Sequence, residues 1–157
     1  MTPSAYRLRP ATLDDVDALV HHRLAMFTEM GIAVNEATLA PAFREWLARL
    51  MPEGTYRAWL AETETGTVVA GAGMTIIPWP PGPRYLGDRI GFVYNVYTEP
   101  AHRGRGLARR AMEGMHIWCR SAGIGSIALN ASTAGEPLYT SMGYVVAASP
   151  MMFLALP

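Results

Sequence analysis

The sequence predicts a single mixed α/β domain over residues 1–157. Its 157 residues are close to the common size of one domain with one core. A hydrophobic fraction of 50% with 17% charged residues is typical of a folded globular chain and excludes a disordered one. The spacing of the apolar residues changes along the chain between period 2, which is typical of strands, and the period of about 3.6 residues that is typical of helices.

The N-terminal part of the chain predicts a strand followed by two helices. Residues 5–9 alternate in polarity and predict a short strand. Thr12 precedes three aspartates, and a capping hydroxyl followed by acidic residues predicts a helix start. We expect this helix to end near Gly31, since glycine is favoured just beyond a helix C-terminus. A second helix is predicted over 36–50, because its large apolar residues fall on one face.

The middle of the chain predicts three strands. Residues 55–63 and 67–77 alternate in polarity on either side of a Thr-Gly pair, which indicates a hairpin. The segment PWPPGP at 78–83 predicts a loop, because proline removes the hydrogen-bond donors that an interior strand needs. Residues 89–98 are rich in aromatic and β-branched side chains and predict a long strand.

The last third of the chain predicts a helix, a strand, a short helix and two final strands. Their predicted ranges are 105–121, 126–130, 136–142, 144–148 and 151–156. The complete element order is therefore β-α-α-β-β-β-α-β-α-β-β, which belongs to the mixed α/β class.

Charge and composition exclude several classes of protein. The 13 basic and 13 acidic residues cancel, which opposes a general nucleic-acid binder. The chain has no lysine, so lysine-dependent phosphate loops and Schiff-base chemistry are excluded. The single cysteine, Cys119, allows no internal disulfide, and we expect no metal site. No apolar run approaches the roughly 20 residues of a membrane span, so we expect a cytoplasmic protein without a membrane partner.

The strongest functional signal is segment 98–110, TEPAHRGRGLARR, where a predicted strand gives way to a helix. Four arginines crowd the helix start, although a helix N-terminus is partly positive and favours acidic residues. Gly104 and Gly106 permit a close approach to the backbone. Free amides, the helix dipole and guanidinium groups together predict a diphosphate site. A dinucleotide-binding turn fits less well, because Arg109 stands where its third glycine would be.

This segment resembles the acetyl-CoA-binding motif of the GNAT N-acetyltransferases, (Q/R)-x-x-G-x-(G/A), which reads RGRGLA at 103–108. Residues 132–144, STAGEPLYTSMGY, resemble the family's second motif, N-x-x-A-x-x-L-Y-x-x-x-G-F. The three departures from that motif are Ser132, Gly135 and Tyr144. The resemblance implies a GNAT-like fold, with helices on both faces of a mixed, mostly antiparallel and splayed sheet.

The resemblance also implies how acetyl-CoA is bound. The backbone of Val96 and Thr98 would pair with the pantetheine arm, and the amides of 103–108 would hold the pyrophosphate. Ser132 replaces an asparagine that usually contacts the cofactor, and its alternative role is to cap the following helix. The full set of expected cofactor-binding residues is Val96, Tyr97, Thr98, Arg103, Gly104, Arg105, Gly106, Leu107, Ala108, Arg109, Asn130 and Ser132.

For the chemistry, the resemblance implies direct transfer of an acetyl group to an amine, with Tyr139 as general acid to the CoA thiolate. A phenol has a reference pKa of about 10, above about 8.5 for a thiol, so Tyr139 would act by hydrogen bonding as charge develops. Packing on a short helix is its alternative role. Asn95 cannot accept a proton but can order water. Glu29 and Glu99 are the carboxylate candidates for a base, with helix solvation and strand termination as their alternatives.

Two further questions stay open at the level of sequence. A non-catalytic CoA-binding or sensor module on the same fold is the alternative to an enzyme, since fold does not decide function. The amine acceptor is unidentified, and the last strands and the methionines suggest a homodimer. The helices at 13–50 and the loop at 78–88 would shape the acceptor site. They offer Arg23, Glu29, Arg44, Trp46, Trp79, Arg84 and Asp88.

Overall fold

The computed structural model describes residues 5–157, which form one five-stranded sheet and four α-helices. The elements in chain order are β1 (Tyr6–Pro10), a short 3-10 helix (Leu13–Asp15), α1 (Val16–Glu29), α2 (Glu36–Leu50), β2 (Tyr56–Thr63), β3 (Val68–Pro78), β4 (Arg89–Thr98), a second 3-10 helix (Pro100–His102), α3 (Leu107–Ser121), β5 (Ile127–Leu129) and α4 (Glu136–Ser141). The predicted helix at 36–50 and strand at 89–98 have these bounds in the structure, and most other elements shift by one or two residues.

The strands lie in the order β1-β2-β3-β4-β5. Neighbours from β1 to β4 are antiparallel, whereas β5 runs parallel to β4. The predicted fold class, a mixed and mostly antiparallel sheet, is confirmed.

The alternating pattern of the strands divides the core between the two faces of the sheet. In β2, Trp59 packs with α3 residues such as Met112, whereas Leu60 packs with Leu19 of α1 and Leu47 of α2. Neighbouring residues of a strand point to opposite faces, so one strand serves both halves of the core. Helices therefore cover both faces, with α1 and α2 on one and α3 on the other.

The start of the first helix is fixed by the polar residues that the sequence singled out. The Thr12 hydroxyl accepts a hydrogen bond from the Asp14 amide, and the Asp15 carboxylate accepts one from the Thr12 amide at 2.7 Å. The Arg9 guanidinium donates to both Asp15 oxygens at 2.8 Å, and it holds the pKa of that carboxyl below its usual range. This capping box joins β1 to the helix that follows.

The two final strands predicted at 144–148 and 151–156 are not formed. After α4 the chain runs in irregular structure, and its apolar side chains are exposed, including Val145 at 90% and Phe153 at 86%. An alternating pattern provides suitable side chains for a strand but not a hydrogen-bonding partner, and an unpaired strand is not stable in water. The sequence pattern therefore over-predicted the sheet at this end of the chain.

Candidate functional site

The strands β4 and β5 separate part of the way along the sheet. They are paired only from Gly91 to Val93, while β4 continues to Thr98. The opening beyond Val93 leads into a cavity of about 720 Å³, called the first cavity here. Its lining includes Val96 and Thr98 of β4 and the segment 131–135 that follows β5. Backbone groups of β4 on this side lack a strand partner, which leaves them available to an extended ligand.

A β-bulge in β4 lies at this opening. Gly73 of β3 pairs with Tyr94, but Gly71 pairs with Tyr97, so β4 holds one extra residue in between. Asn95 sits in the bulge with a φ of 54°, a left-handed conformation that asparagine tolerates better than most residues. The bulge turns Asn95 inward, where its side chain is buried and its Oδ1 accepts a hydrogen bond from Arg23 at 2.8 Å.

The arginine-rich turn follows β4 and opens α3, as the sequence predicts. Gly104 and Gly106 have φ values of 72° and 71°, and no atom lies within 4 Å of a Cβ built at either position. No side chain caps Gly106, so the first amides of α3 face open space. A ligand can therefore approach the backbone of this turn without obstruction.

The arginine side chains of this turn contact protein groups. Arg103 donates through Nη2 to both oxygens of Glu29, at 2.7 and 2.6 Å, and through Nε to the Thr98 carbonyl. Arg109 donates to the Ser141 hydroxyl, and the Arg105 guanidinium lies 6.0 Å from the Tyr6 ring centroid. The anion-binding character of the turn therefore comes first from its backbone amides and the helix dipole.

Tyr139 lies in α4 and lines the first cavity. Burial raises the pKa of its phenol, which keeps the proton on the oxygen at neutral pH. A Cβ at Gly135 would lie 2.8 Å from the Tyr139 ring, so the glycine allows this ring to approach the backbone of the turn closely. Ser132 accepts a hydrogen bond from the Gly135 amide at 3.1 Å and also lines the cavity, so it fits both roles considered for it.

The carboxylate candidates Glu29 and Glu99 lie beside Tyr97. The Tyr97 hydroxyl contacts Glu29 Oε1 at 3.3 Å and Glu99 Oε2 at 3.5 Å, and burial together with these two charges raises its pKa. Glu99 also contacts His21 Nε2 at 2.6 Å. Both carboxylates are thus bound by cationic or polar partners, and Glu29 is held by Arg103 at the wall of the first cavity.

A second cavity of about 470 Å³ extends from the same place toward α1. The two cavities share the lining residues Met26, Met30, Val96, Ser132 and Tyr139. The second cavity also contains Arg23, Tyr94, Asn95 and Asn130. None of its lining comes from the loop at 78–88, and Arg44 binds Asp17 on the surface, so these parts of the expected acceptor site lie elsewhere.

Sequence reasoning overlooked some of the residues at these cavities. The α1 residues Met26 and Met30 carry only a general apolar signal, and Tyr56 lies within an ordinary alternating strand. Arg23 did carry a signal, because it occupies a position in the apolar stripe of its helix. Among residues 5–157, no cluster of three potential metal ligands is present, and no helix is long and apolar enough to cross a membrane.

Comparison with known proteins agrees with this geometry. The chain is 36% identical to a GCN5-related N-acetyltransferase from Ralstonia eutropha, with 97% of each chain covered and a TM-score of 0.81. It is 25% identical to a predicted acetyltransferase from Clostridium acetobutylicum, solved with acetyl-CoA, with 95% and 96% covered and a TM-score of 0.87. Glucosamine-6-phosphate N-acetyltransferase from Arabidopsis thaliana, at 18% identity, 95% and 97% coverage and a TM-score of 0.73, shares the fold.

No protein of curated function matches this sequence. The sequence model of the acetyltransferase (GNAT) family matches residues 17–144. This range contains the helices and strands that line the two cavities, the glycine turn and Tyr139. With this match and the 36% identical structure, the chain belongs to the GNAT family of acetyltransferases.

Proposed function

We propose that this protein transfers an acetyl group from acetyl-CoA to a primary amine of a small molecule or peptide. The observation that carries the proposal is the open path from the exposed amides at Gly106, along the unpaired edge of β4, to Tyr139. Such a path suits a long ligand with a diphosphate at one end and a reactive group at the other. The relative from Clostridium acetobutylicum, which was solved with acetyl-CoA, supports this choice of donor.

The donor would be held mainly by backbone groups. Val96 and Thr98 offer the free edge of β4 to the pantetheine arm, with Tyr97 between them. The amides of 103–108 would bind the pyrophosphate, since the helix start carries partial positive charge and no side chain caps it. Three residues complete the proposed set: Arg109 at the turn, Ser132 in the lining shared by both cavities and Asn130 in the second cavity.

We propose that chemistry takes place where the cavities meet. The amine would attack the acetyl carbon directly, and the departing CoA thiolate would receive a hydrogen bond and then a proton from Tyr139. Asn95, buried in the second cavity, would orient the water that carries away the proton of the amine. Of the two carboxylate candidates, Glu29 lines the first cavity, but its two bonds to Arg103 favour a mechanism without a strong base.

The first test is calorimetric titration of acetyl-CoA and CoA into wild type, Gly106→Asp and Gly66→Asp. Both glycines have positive φ and open space at Cβ, so aspartate introduces similar backbone strain of about 1–2 kcal/mol at each position, and Gly66→Asp controls for that strain. We expect binding of the wild type and of Gly66→Asp to be equal. In Gly106→Asp a carboxylate faces the diphosphate, and like-charge repulsion weakens binding by about 100-fold. A folded wild type that binds neither ligand overturns the proposal.

The alternative is a non-catalytic module that only binds CoA. It predicts the same binding of acetyl-CoA in the titration but no release of CoA thiol in a second measurement. Incubation of the enzyme with acetyl-CoA and a panel of amines releases free CoA thiol only if transfer takes place. Thiol release that depends on both enzyme and amine supports the enzyme, whereas tight acetyl-CoA binding without release from any amine supports the sensor module.

A further inference from the structure

Arg23 carries a positive charge into the second cavity without an acidic partner. Its Nη1 donates to Asn95, and its guanidinium carbon lies 4.9 Å from the ring centroids of Phe27 and Phe43. Within residues 5–157, no carboxylate forms an ion pair with it. Burial lowers the pKa of the guanidinium, which is the expected sign for a charge withdrawn from water without compensation.

The groups around Arg23 are also incompletely hydrogen-bonded. Within residues 5–157, three buried polar atoms near Arg23 form no hydrogen bond of normal length: Arg23 Nε, the Tyr56 hydroxyl and Asn95 Nδ2. The last two belong to neighbouring groups, since Asn95 offsets part of the rise that burial causes in the pKa of Tyr56. All three can donate a hydrogen bond, and the side chains of Tyr56 and Asn95 are almost entirely buried. Buried polar groups in folded proteins are normally satisfied, because an unmade bond costs free energy. Arg23 is therefore a cation at the wall of the second cavity with an unmade hydrogen bond and no counter-charge, which suits an anionic ligand from outside the chain.

The acidic residues of the same helix are already bound elsewhere. Asp17 pairs with Arg44, and Glu29 pairs with Arg103. The contacts with Phe27 and Phe43 account for the position of the Arg23 side chain, but aromatic faces do not neutralise a full charge. The missing counter-charge is thus not supplied by neighbouring residues of the fold.

We propose that the acceptor of this enzyme is a small amine that also carries one carboxylate, and that Arg23 binds this carboxylate. Of the residues that the structure describes, Arg23 is the only one with a cationic side chain that lines the second cavity or the adjoining pocket around Phe43, Trp46 and Tyr56. One cation with neutral donors suits a single negative charge, and a phosphate dianion would remain under-neutralised. The rest of the lining is largely apolar and aromatic, so the remainder of the molecule is apolar. An amino acid with an apolar side chain has this chemistry.

The proposal rests on the acetyltransferase function. Its test therefore measures the preference for a carboxylate and, separately, the binding of acetyl-CoA. The substrates are matched sets built on one skeleton: phenylalanine, its carboxamide, phenethylamine and the corresponding aminophosphonate, with leucine and methionine sets beside them. The readout is CoA thiol release, compared as kcat/KM. We expect the carboxylate member to exceed its uncharged partners and the phosphonate by at least about tenfold in the best set, which is the discrimination of one charged hydrogen bond.

Three variants connect this preference to Arg23. Arg23→Gln removes the charge and is expected to abolish the preference by lowering kcat/KM for the carboxylate member alone. Arg23→Lys keeps the charge without the planar fork and retains part of the preference. Arg49→Gln removes an exposed arginine of α2 that lines neither cavity and leaves the preference unchanged.

Acetyl-CoA titration of each variant separates the two proposals. Unchanged acetyl-CoA affinity with a lost carboxylate preference supports the role of Arg23. If the wild type binds acetyl-CoA but acetylates charged and uncharged partners equally, prefers the phosphonate or acetylates no member of the sets, the acceptor class proposed here is wrong. An equal loss of activity toward both partners in Arg23→Gln also overturns it. Failure to bind acetyl-CoA at all refutes the function itself.

Discussion

At the scale of single residues, burial sets the protonation state of Tyr139 and thereby limits its role. Tyr139 is 8% exposed, and burial raises the pKa of its phenol, which therefore holds its proton throughout the neutral range. A group in this state can donate to a thiolate but cannot accept a proton from an amine. The Tyr139 environment therefore favours the acid over the base among the roles open to a tyrosine.

We expect Tyr139→Phe to lower kcat by about 100-fold, which is typical of a lost general acid. The KM for acetyl-CoA should stay close to that of wild type, because the expected contacts of the donor are with β4 and the glycine turn. The measurement is CoA thiol release with the best acceptor of the amine panel.

Tyr144→Phe is the matched control for this substitution. Tyr144 lies 5.9 Å from Tyr139, ring to ring, and its hydroxyl bonds His116 at 2.8 Å outside both cavities. Loss of this bond costs stability of about 1 kcal/mol but leaves kcat unchanged. A Tyr139→Phe enzyme with wild-type kcat would refute the acid role and leave a packing role.

His22 couples the stability of the fold to pH. Its side chain is buried against Tyr97, and burial lowers its pKa from 6.5 to about 4. Between pH 6.5 and about pH 4, the unfolded chain binds a proton at His22 and the folded chain does not. The free energy of unfolding therefore falls as pH decreases through this range. We expect the free energy of unfolding to drop by about 2 kcal/mol from pH 7 to pH 5 on account of His22. Urea denaturation at both pH values measures it.

The control for His22 uses its neighbour in the sequence. His22→Gln removes the titrating group and should flatten the dependence of stability on pH. His21→Gln removes an exposed imidazole that adds less than burial does to the lowered pKa of His22, so it should keep most of that dependence. His116, whose pKa burial also lowers, contributes equally in all three proteins. If wild type and His22→Gln lose the same free energy of unfolding between pH 7 and pH 5, the pH dependence does not come from His22.

At the scale of elements, the sequence predicted those parts whose determinants are local. α2 and β4 have their predicted bounds, because an apolar stripe and a run of β-branched and aromatic residues act within one element. The start of the first helix followed from Thr12 and its aspartates for the same reason. The strands at 144–148 and 151–156 failed, because strand formation depends on an edge to pair with and not on alternation alone.

The candidate site divides in the same way. The glycine turn and Tyr139 belong to contiguous motifs, so their positions could be predicted from the sequence. The grouping of Arg23, Tyr56 and Asn95 joins α1, β2 and β4, and it depends on a one-residue bulge that no local pattern announces. Contacts of this kind are set by register between elements, which a single sequence does not specify.

At the scale of the whole molecule, the C-terminal segment has apolar side chains that the single chain leaves exposed. Residues 145–156 expose seven large apolar side chains, a concentration that is unusual on the surface of a monomer. These exposed residues are Val145, Val146, Met151, Met152, Phe153, Leu154 and Leu156. Within residues 5–157, β5 is the last strand of the sheet and pairs only with β4, so its outer edge has no strand partner there. A second copy would provide both the apolar cover and the strand partner.

We therefore expect a homodimer in solution, with light scattering after size exclusion giving twice the chain mass of 17.1 kDa. Val145→Asp places a charge in the exposed segment at a position outside both cavities near Tyr139, so it should produce a monomer that still binds acetyl-CoA. Leu86 is a similarly exposed apolar residue in the loop at 78–88, so the Leu86→Asp variant should remain dimeric. A wild type that is monomeric at micromolar concentration would show that the segment serves no interface between copies. If both variants stay dimeric, the copies meet elsewhere, and the apolar segment remains exposed in the dimer as in the single chain.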